Sequence, residues 1–136
     1  MDDKRGNETV LVVEDQVDVA DYAETVLSEF GYTVLRADNA IQALELLDGA
    51  GKIDLLFSDL IMPGGMNGVM LAREVKRRRP NMNVLLTTGY AELSIERVDA
   101  RGAEFELIQK PYKRNELANK VRQVIDGPTG VGTHGA

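Results

Sequence analysis

The run Asp54-Leu55-Leu56-Phe57-Ser58-Asp59-Leu60-Ile61-Met62-Pro63 constrains this chain most, because it is apolar over several residues, closes on an acid and breaks at a proline. A short apolar segment bounded by breakers reads as a strand buried on both faces. Such strands belong to parallel sheets, whose ligands sit in the crevice at the carboxyl ends. Asp59 is thereby held at the mouth of a crevice. A second run, Thr9-Val10-Leu11-Val12-Val13, closes on Glu14-Asp15 in the same way. If the two strands are neighbours, three carboxylates converge on one pocket. At about 5 Å and an effective dielectric near 20, each pair repels by roughly 3 kcal/mol, so the cluster calls for a cation. Oxygen-only ligands that leave room for water and a phosphoryl group suit Mg²⁺.

Strand and helix signals alternate along the rest of the chain. Residues 1–8 form a polar lead-in, and the first strand is expected over 9–14. From Val17 the period changes to that of a helix, with Val19, Tyr22, Ala23, Val26, Leu27 and Phe30 on one face and Gly31 placed to end it. Thr33–Ala37 is a second short strand, and Asn39 with Gln42 has the form of a capping box for a helix carrying Ile41, Leu44 and Leu47. After the central strand, 54–59, the loop Pro63-Gly64-Gly65-Met66-Asn67-Gly68 leads to a helix presenting Leu71, Ala72 and Val75 and stopped by Pro80. The basic run Lys76-Arg77-Arg78-Arg79 sits in its last turn, where cations favour the helix dipole, so it is read as a solvated helix end. A fourth strand over 83–88 breaks at Gly89, a weakly amphipathic helix follows at roughly 93–100, and Phe105–Gln109 gives a fifth strand ended by Lys110-Pro111. Leu117, Val121, Val124 and Ile125 define a final helix. The reading is one domain over 9–126 followed by a flexible Gly-rich tail over 127–136. Alternation of this kind predicts an α/β fold, a doubly wound five-stranded parallel sheet with right-handed crossovers.

Composition narrows the function. A length of 136 residues suits a single domain, and 43% hydrophobic content supports a core. The net charge of −6 argues against direct nucleic-acid binding, which needs a basic face. Without cysteine there are no disulfides, thiolate metal sites or thiol nucleophiles. No apolar run approaches a membrane span, and the amino terminus carries no apolar signal region, so a soluble, cytoplasmic protein without membrane partners is expected. Asn7-Glu8-Thr9 has the glycosylation pattern but no secretory signal accompanies it. Gly130, Gly132 and Gly135 have dinucleotide-fingerprint spacing but no strand precedes them. The single histidine, His134, lies in the same tail.

Glu14-Asp15, Asp59, Thr88 and Lys110 all sit at the carboxyl ends of expected strands. Each alone is an ordinary loop-starting polar residue. Together they assemble acids for a metal, a carboxylate nucleophile, and a hydroxyl and an ammonium for phosphoryl oxygens. This set, with Met62-Pro63 and Gly68 after Asp59, Gly89 after Thr88 and Pro111 after Lys110, resembles the receiver domain of bacterial two-component response regulators over residues 9–126. The resemblance implies a flavodoxin-like (βα)5 fold with strand order 2-1-3-4-5. It makes Asp59 the phosphoacceptor, Asp15 a direct Mg²⁺ ligand, Glu14 a ligand largely through water, and the Ile61 carbonyl the main-chain ligand. Thr88 and Lys110 would bind phosphoryl oxygens. The phosphoryl donor would be a histidine kinase or a histidine phosphotransfer protein, and output would pass through contact with a downstream protein.

Three features depart from the usual pattern. The loop after Asp59 is one residue longer and contains Gly64-Gly65, a form similar to receivers of hybrid sensor kinases. Leu107 occupies the position, three before Lys110, that is often an aromatic switch. Tyr90 is the nearest aromatic that could replace it. Ile61, two past the acceptor, and Tyr90, two past the threonine, stand where polar groups would align a hydrolytic water, so a long-lived phosphorylated form is expected. The competing readings fit less well. A Mg²⁺-dependent phosphatase of small substrates wants a second acid where Ile61 stands, and a flavin site would be repelled by Asp15-Gln16-Val17-Asp18. A receiver-like scaffold that binds partners without phosphorylation would not need the complete acid, threonine and lysine set. The chain is thus expected not to be an enzyme beyond catalysing its own phosphorylation and dephosphorylation.

Overall fold

The computed structural model describes residues 6–49, 51–61, 66–89 and 105–135. Five strands, β1 (Thr9–Val13), β2 (Thr33–Ala37), β3 (Leu55–Asp59), β4 (Asn83–Thr88) and β5 (Glu106–Gln109), form one parallel sheet in the order β2-β1-β3-β4-β5. The described helices are α1 (Val17–Glu29), α2 (Ala40–Gly49), α3 (Gly68–Arg78) and α4 (Arg114–Gly135). The strand order and the doubly wound architecture are those expected. The helix anticipated near 93–100 and the residue Tyr90 lie outside the described residues.

The central strands β1, β3 and β4 are buried on both faces, which is why they read as continuous apolar runs rather than alternating ones, while the edge strands β2 and β5 are partly exposed. Alternate residues still go to opposite faces. Leu11, Val13, Leu56, Val84 and Leu86 pack with Ala43 and Leu47 of α2 and Leu71 and Val75 of α3. Val10, Val12, Leu55, Phe57 and Leu85 pack on the other face with Ala23 and Leu27 of α1 and Leu117 and Val121 of α4. Excluding each such leucine from water contributes about 2 kcal/mol. The register sets Val13 beside Ser58 and Asp59 beside Thr87, so the strands end at one level and their following residues share one rim.

Local chemistry fixes the helix ends. Gly31 has φ of +98°, the left-handed conformation that favours glycine after a helix, and it turns α1 into β2. Asn67 caps α3 by accepting a hydrogen bond from Met70 N at 2.9 Å. Asn39 accepts from Gln42 N at 2.9 Å, while Gln42 Oε1 accepts from Asp38 N at 2.8 Å, so the capping box closes one residue earlier than its usual form. The basic run is occupied locally: Arg77 and Arg78 pair with Glu74, Arg78 also with Asp48, and Arg79 donates to the Leu47 and Gly51 carbonyls. Beneath the sheet, Arg122 clasps Glu8 through two hydrogen bonds of 3.2 and 2.9 Å and also meets Tyr32 and Asp126.

The backbone of α4 is helical from Arg114 through Gly135, across the Gly-rich stretch that the sequence marks as a flexible tail.

Candidate functional site

Four of the five strands deliver the pocket. Directly past β1, Glu14 is 5% exposed. Its N–H donates to the Ala37 carbonyl at 3.1 Å, and its Oε2 accepts from Gln16 N at 3.1 Å. Asp15 is exposed beside it. At the end of β3, Asp59 is also 5% exposed. The chain beyond it is drawn tight: Leu60 N donates to Thr87 O at 2.8 Å and Gly68 N to Leu60 O at 2.7 Å. A Cβ on Gly68 would collide with the Asp59 carbonyl oxygen, so this glycine is what lets α3 start against the end of β3.

Thr88 ends β4 almost fully buried, its hydroxyl donating to the Gly89 carbonyl at 3.3 Å and its own carbonyl accepting from Lys110 N at 2.8 Å. That last bond anchors Lys110 past β5, and the Lys110–Pro111 peptide is cis. The Lys110 side chain then crosses β4 to reach the acids. Its Nζ lies 3.3 Å from Glu14 Oε1 and 3.4 Å from Asp59 Oδ2. Burial works against its charge, but Asp59 and Glu14 outweigh burial and hold its pKa above the ordinary lysine value.

Carboxylate oxygens of Glu14, Asp15 and Asp59 lie within 4.8 Å of one another. Three carboxylates therefore face one ammonium. The donor set is all oxygen and carries excess negative charge, which fits a hard divalent cation and not a soft metal. Ile61 is 42% exposed just beyond Asp59. Leu107 is half-buried against the α2/α3 side of the sheet, where it packs as an ordinary core-edge residue. The structure thus brings Glu14, Asp15, Asp59 and Lys110 together, puts Thr88 on the same rim, and leaves Ile61 at the edge.

Two residues of the pocket escaped the sequence reading. Tyr112 is buried below Lys110, with its ring centroid 5.9 Å from that of Phe57 and 5.9 Å from that of Tyr22. Burial pushes its phenol pKa up, and Glu14, Tyr22 and Asp59 add to the shift. An aromatic directly after the Lys110-Pro111 pair was the available signal. Thr87 is the other. In the pair Thr87-Thr88 the pleat sends neighbouring side chains to opposite faces, so only one of them can share a face with Asp59.

The family model for the response regulator receiver domain matches residues 10–122. The sensor kinase CckA of Brucella abortus is 34% identical over 125 residues, which cover 91% of this chain but 13% of that kinase. The response regulator receiver protein CpdR of the same organism is 27% identical over 116 residues, covering 85% of this chain and 95% of that protein. Among solved structures, a CheY-like response regulator receiver domain protein from Methanospirillum hungatei superposes with a TM-score of 0.77 at 27% identity, covering 89% of this chain and 95% of the other.

Proposed function

The chain belongs to the response regulator receiver domain family, and from that premise we propose that it is the phosphoacceptor of a two-component phosphorelay, taking a phosphoryl group onto Asp59 from a histidine kinase or a histidine phosphotransfer protein. The observation that carries this reading is the buried Asp59 at the end of the central strand, with the Lys110 ammonium 3.4 Å from its Oδ2.

In the proposed step an Asp59 carboxylate oxygen forms a bond to phosphorus as the bond from phosphorus to the donor imidazole nitrogen breaks. The electron pair stays with the imidazole, which regains a proton from water. Lys110 moves from the carboxylates toward the phosphoryl oxygens, and the Thr88 hydroxyl turns from Gly89 O to meet them. Receiver domains bind Mg²⁺ at an acidic pocket, and here Glu14, Asp15, Asp59 and the Ile61 carbonyl would hold it. When bound, the ion neutralises the excess charge that would repel an incoming phosphoryl group. The remaining work, aligning nucleophile and phosphorus, belongs to the rigid strand ends. The family is usually not a classic enzyme, and the chemistry proposed is confined to the chain's own phosphorylation and dephosphorylation. Signal output then passes by protein contact.

Acetyl phosphate with Mg²⁺ tests this reading. Wild type is expected to take up one phosphoryl group and Asp59→Asn none. Equal labelling of the two would end the assignment. Absence of labelling in both, with partner binding intact, would favour a receiver-like scaffold that phosphorylation does not control.

A further inference from the structure

Thr87 sits 2% exposed in β4, directly in register with Asp59 of β3 on one side and Ile108 of β5 on the other. Its Oγ1 is buried and has no hydrogen-bond partner among the described residues. A buried hydroxyl without a partner is costly, because it has lost water and gained nothing in return. Valine would fill the same volume without that cost. The position is therefore unfavourable in the resting molecule unless the hydroxyl is used in another state.

The pleat says where it could be used. Leu55, Phe57 and Leu85 face the α1/α4 side of the sheet, whereas Leu56, Val84 and Leu86 face α2 and α3. By the same alternation Asp59 and Thr87 share the first face, and Thr88 belongs to the second. Lys110, which follows β5, crosses β4 on its way to Asp59 and Glu14. At 3.3 and 3.4 Å its two contacts are long for charge-assisted hydrogen bonds, so the ammonium is loosely held in the resting pocket.

We propose that Thr87 is a further positioning residue of this pocket, its buried hydroxyl donating a hydrogen bond to the Asp59 side chain once that carboxylate is loaded. This rests on Asp59 being the phosphoacceptor. Loading shifts Lys110 toward the new oxygens, and the acyl oxygen left on Asp59 becomes an acceptor beside Thr87. The two adjacent threonines then serve the pocket from opposite faces of β4. Thr88 addresses the phosphoryl oxygens and Thr87 the carboxyl group that bears them.

The test uses the full chain, with beryllium fluoride and Mg²⁺ as the probe of the loaded state, in wild type, Thr87→Val and Thr87→Ser. Calorimetric titration is expected to give about tenfold weaker beryllofluoride binding for Thr87→Val, the worth of one net hydrogen bond. Thr87→Ser should bind within about threefold of wild type. The ligand-free Thr87→Val protein should melt no lower than wild type and about 3 °C higher if the orphan hydroxyl is fully relieved. Equal beryllofluoride affinity for Val and wild type would overturn the proposal. So would a matching loss in Thr87→Ser, which keeps the hydroxyl and would trace the effect to repacking of the site. A lowered melting temperature of ligand-free Thr87→Val would show the hydroxyl already bonded at rest and overturn it too. If wild type itself takes no beryllofluoride, the phosphoacceptor reading falls first, an outcome distinct from the others.

Discussion

Replacing Lys110 with methionine removes the one ammonium that the described residues place in the pocket and keeps its length and apolar stem. At 3.3 Å from Glu14 and 3.4 Å from Asp59, each attraction is worth roughly 5 kcal/mol at an effective dielectric near 20. Against this, carboxylate oxygens within 4.8 Å repel by roughly 3 kcal/mol or more per pair. The two attractions together thus exceed the repulsion between the two buried acids. Desolvation and relaxation reduce these gross figures, and removal of one partner from a buried pair costs about 3–5 kcal/mol in practice. That is a large share of the 5–15 kcal/mol typical of a domain. Urea unfolding in chelator is therefore expected to place Lys110→Met about 3 kcal/mol below wild type. Adding Mg²⁺ at 10 mM, as order of magnitude, should stabilise the variant more than wild type, since the ion takes over the neutralisation. A variant as stable as wild type in chelator, or a gap that Mg²⁺ leaves unchanged, would refute the electrostatic account.

Gly68→Ala is expected to cost about 2 kcal/mol and to lower the melting temperature, since its Cβ meets the backbone of Asp59 and Leu60, neither of which can yield as a side chain can. Glu8→Gln should cost about 1 kcal/mol at neutral pH. The guanidinium of Arg122 holds the Glu8 carboxyl below its ordinary value of 4.5, so its contribution is present above pH 4.5 and is lost as pH falls through the lowered folded value. Unfolding curves of the two proteins should accordingly converge in acid, and a gap constant with pH would contradict the pairing. Ile61→Asn, which places a hydrogen-bonding group at the exposed edge of the pocket, should speed loss of phosphate from the phosphorylated chain about tenfold, or ~1.4 kcal/mol of barrier. Equal release rates would show that Ile61 does not govern water access.

Much of this fold was legible because its central strands are buried on both faces. Leu55–Asp59 and Thr9–Val13 announce themselves as apolar runs, and the acids that end them can only lie at the rim. Caps and stops were legible from local chemistry, as at Asn39 and Gly31. Boundaries moved by one residue: Asp54 lies outside β3, its carboxylate accepting from Thr9 N at 2.9 Å. What sequence could not convey was reach across the sheet. Lys110 leaves the far end of the rim and crosses β4 to meet Glu14 on β1, a path set by strand order rather than spacing. Tyr112 packs against Tyr22 of α1 and Phe57 of β3, contacts that only the fold brings about. The sequence reading singled out Thr88, and only the register sets its neighbour Thr87 beside Asp59.

The central claim is that one carboxylate, Asp59, becomes the acyl phosphate. Borohydride reduces an aspartyl phosphate to homoserine and leaves free carboxylates alone, so the acceptor can be located directly. After incubation with acetyl phosphate and Mg²⁺, reduction and peptide mass spectrometry should find homoserine at position 59 alone, and none when Mg²⁺ is replaced by chelator. Homoserine at position 15, or phosphoryl uptake with position 59 unchanged, would contradict the account.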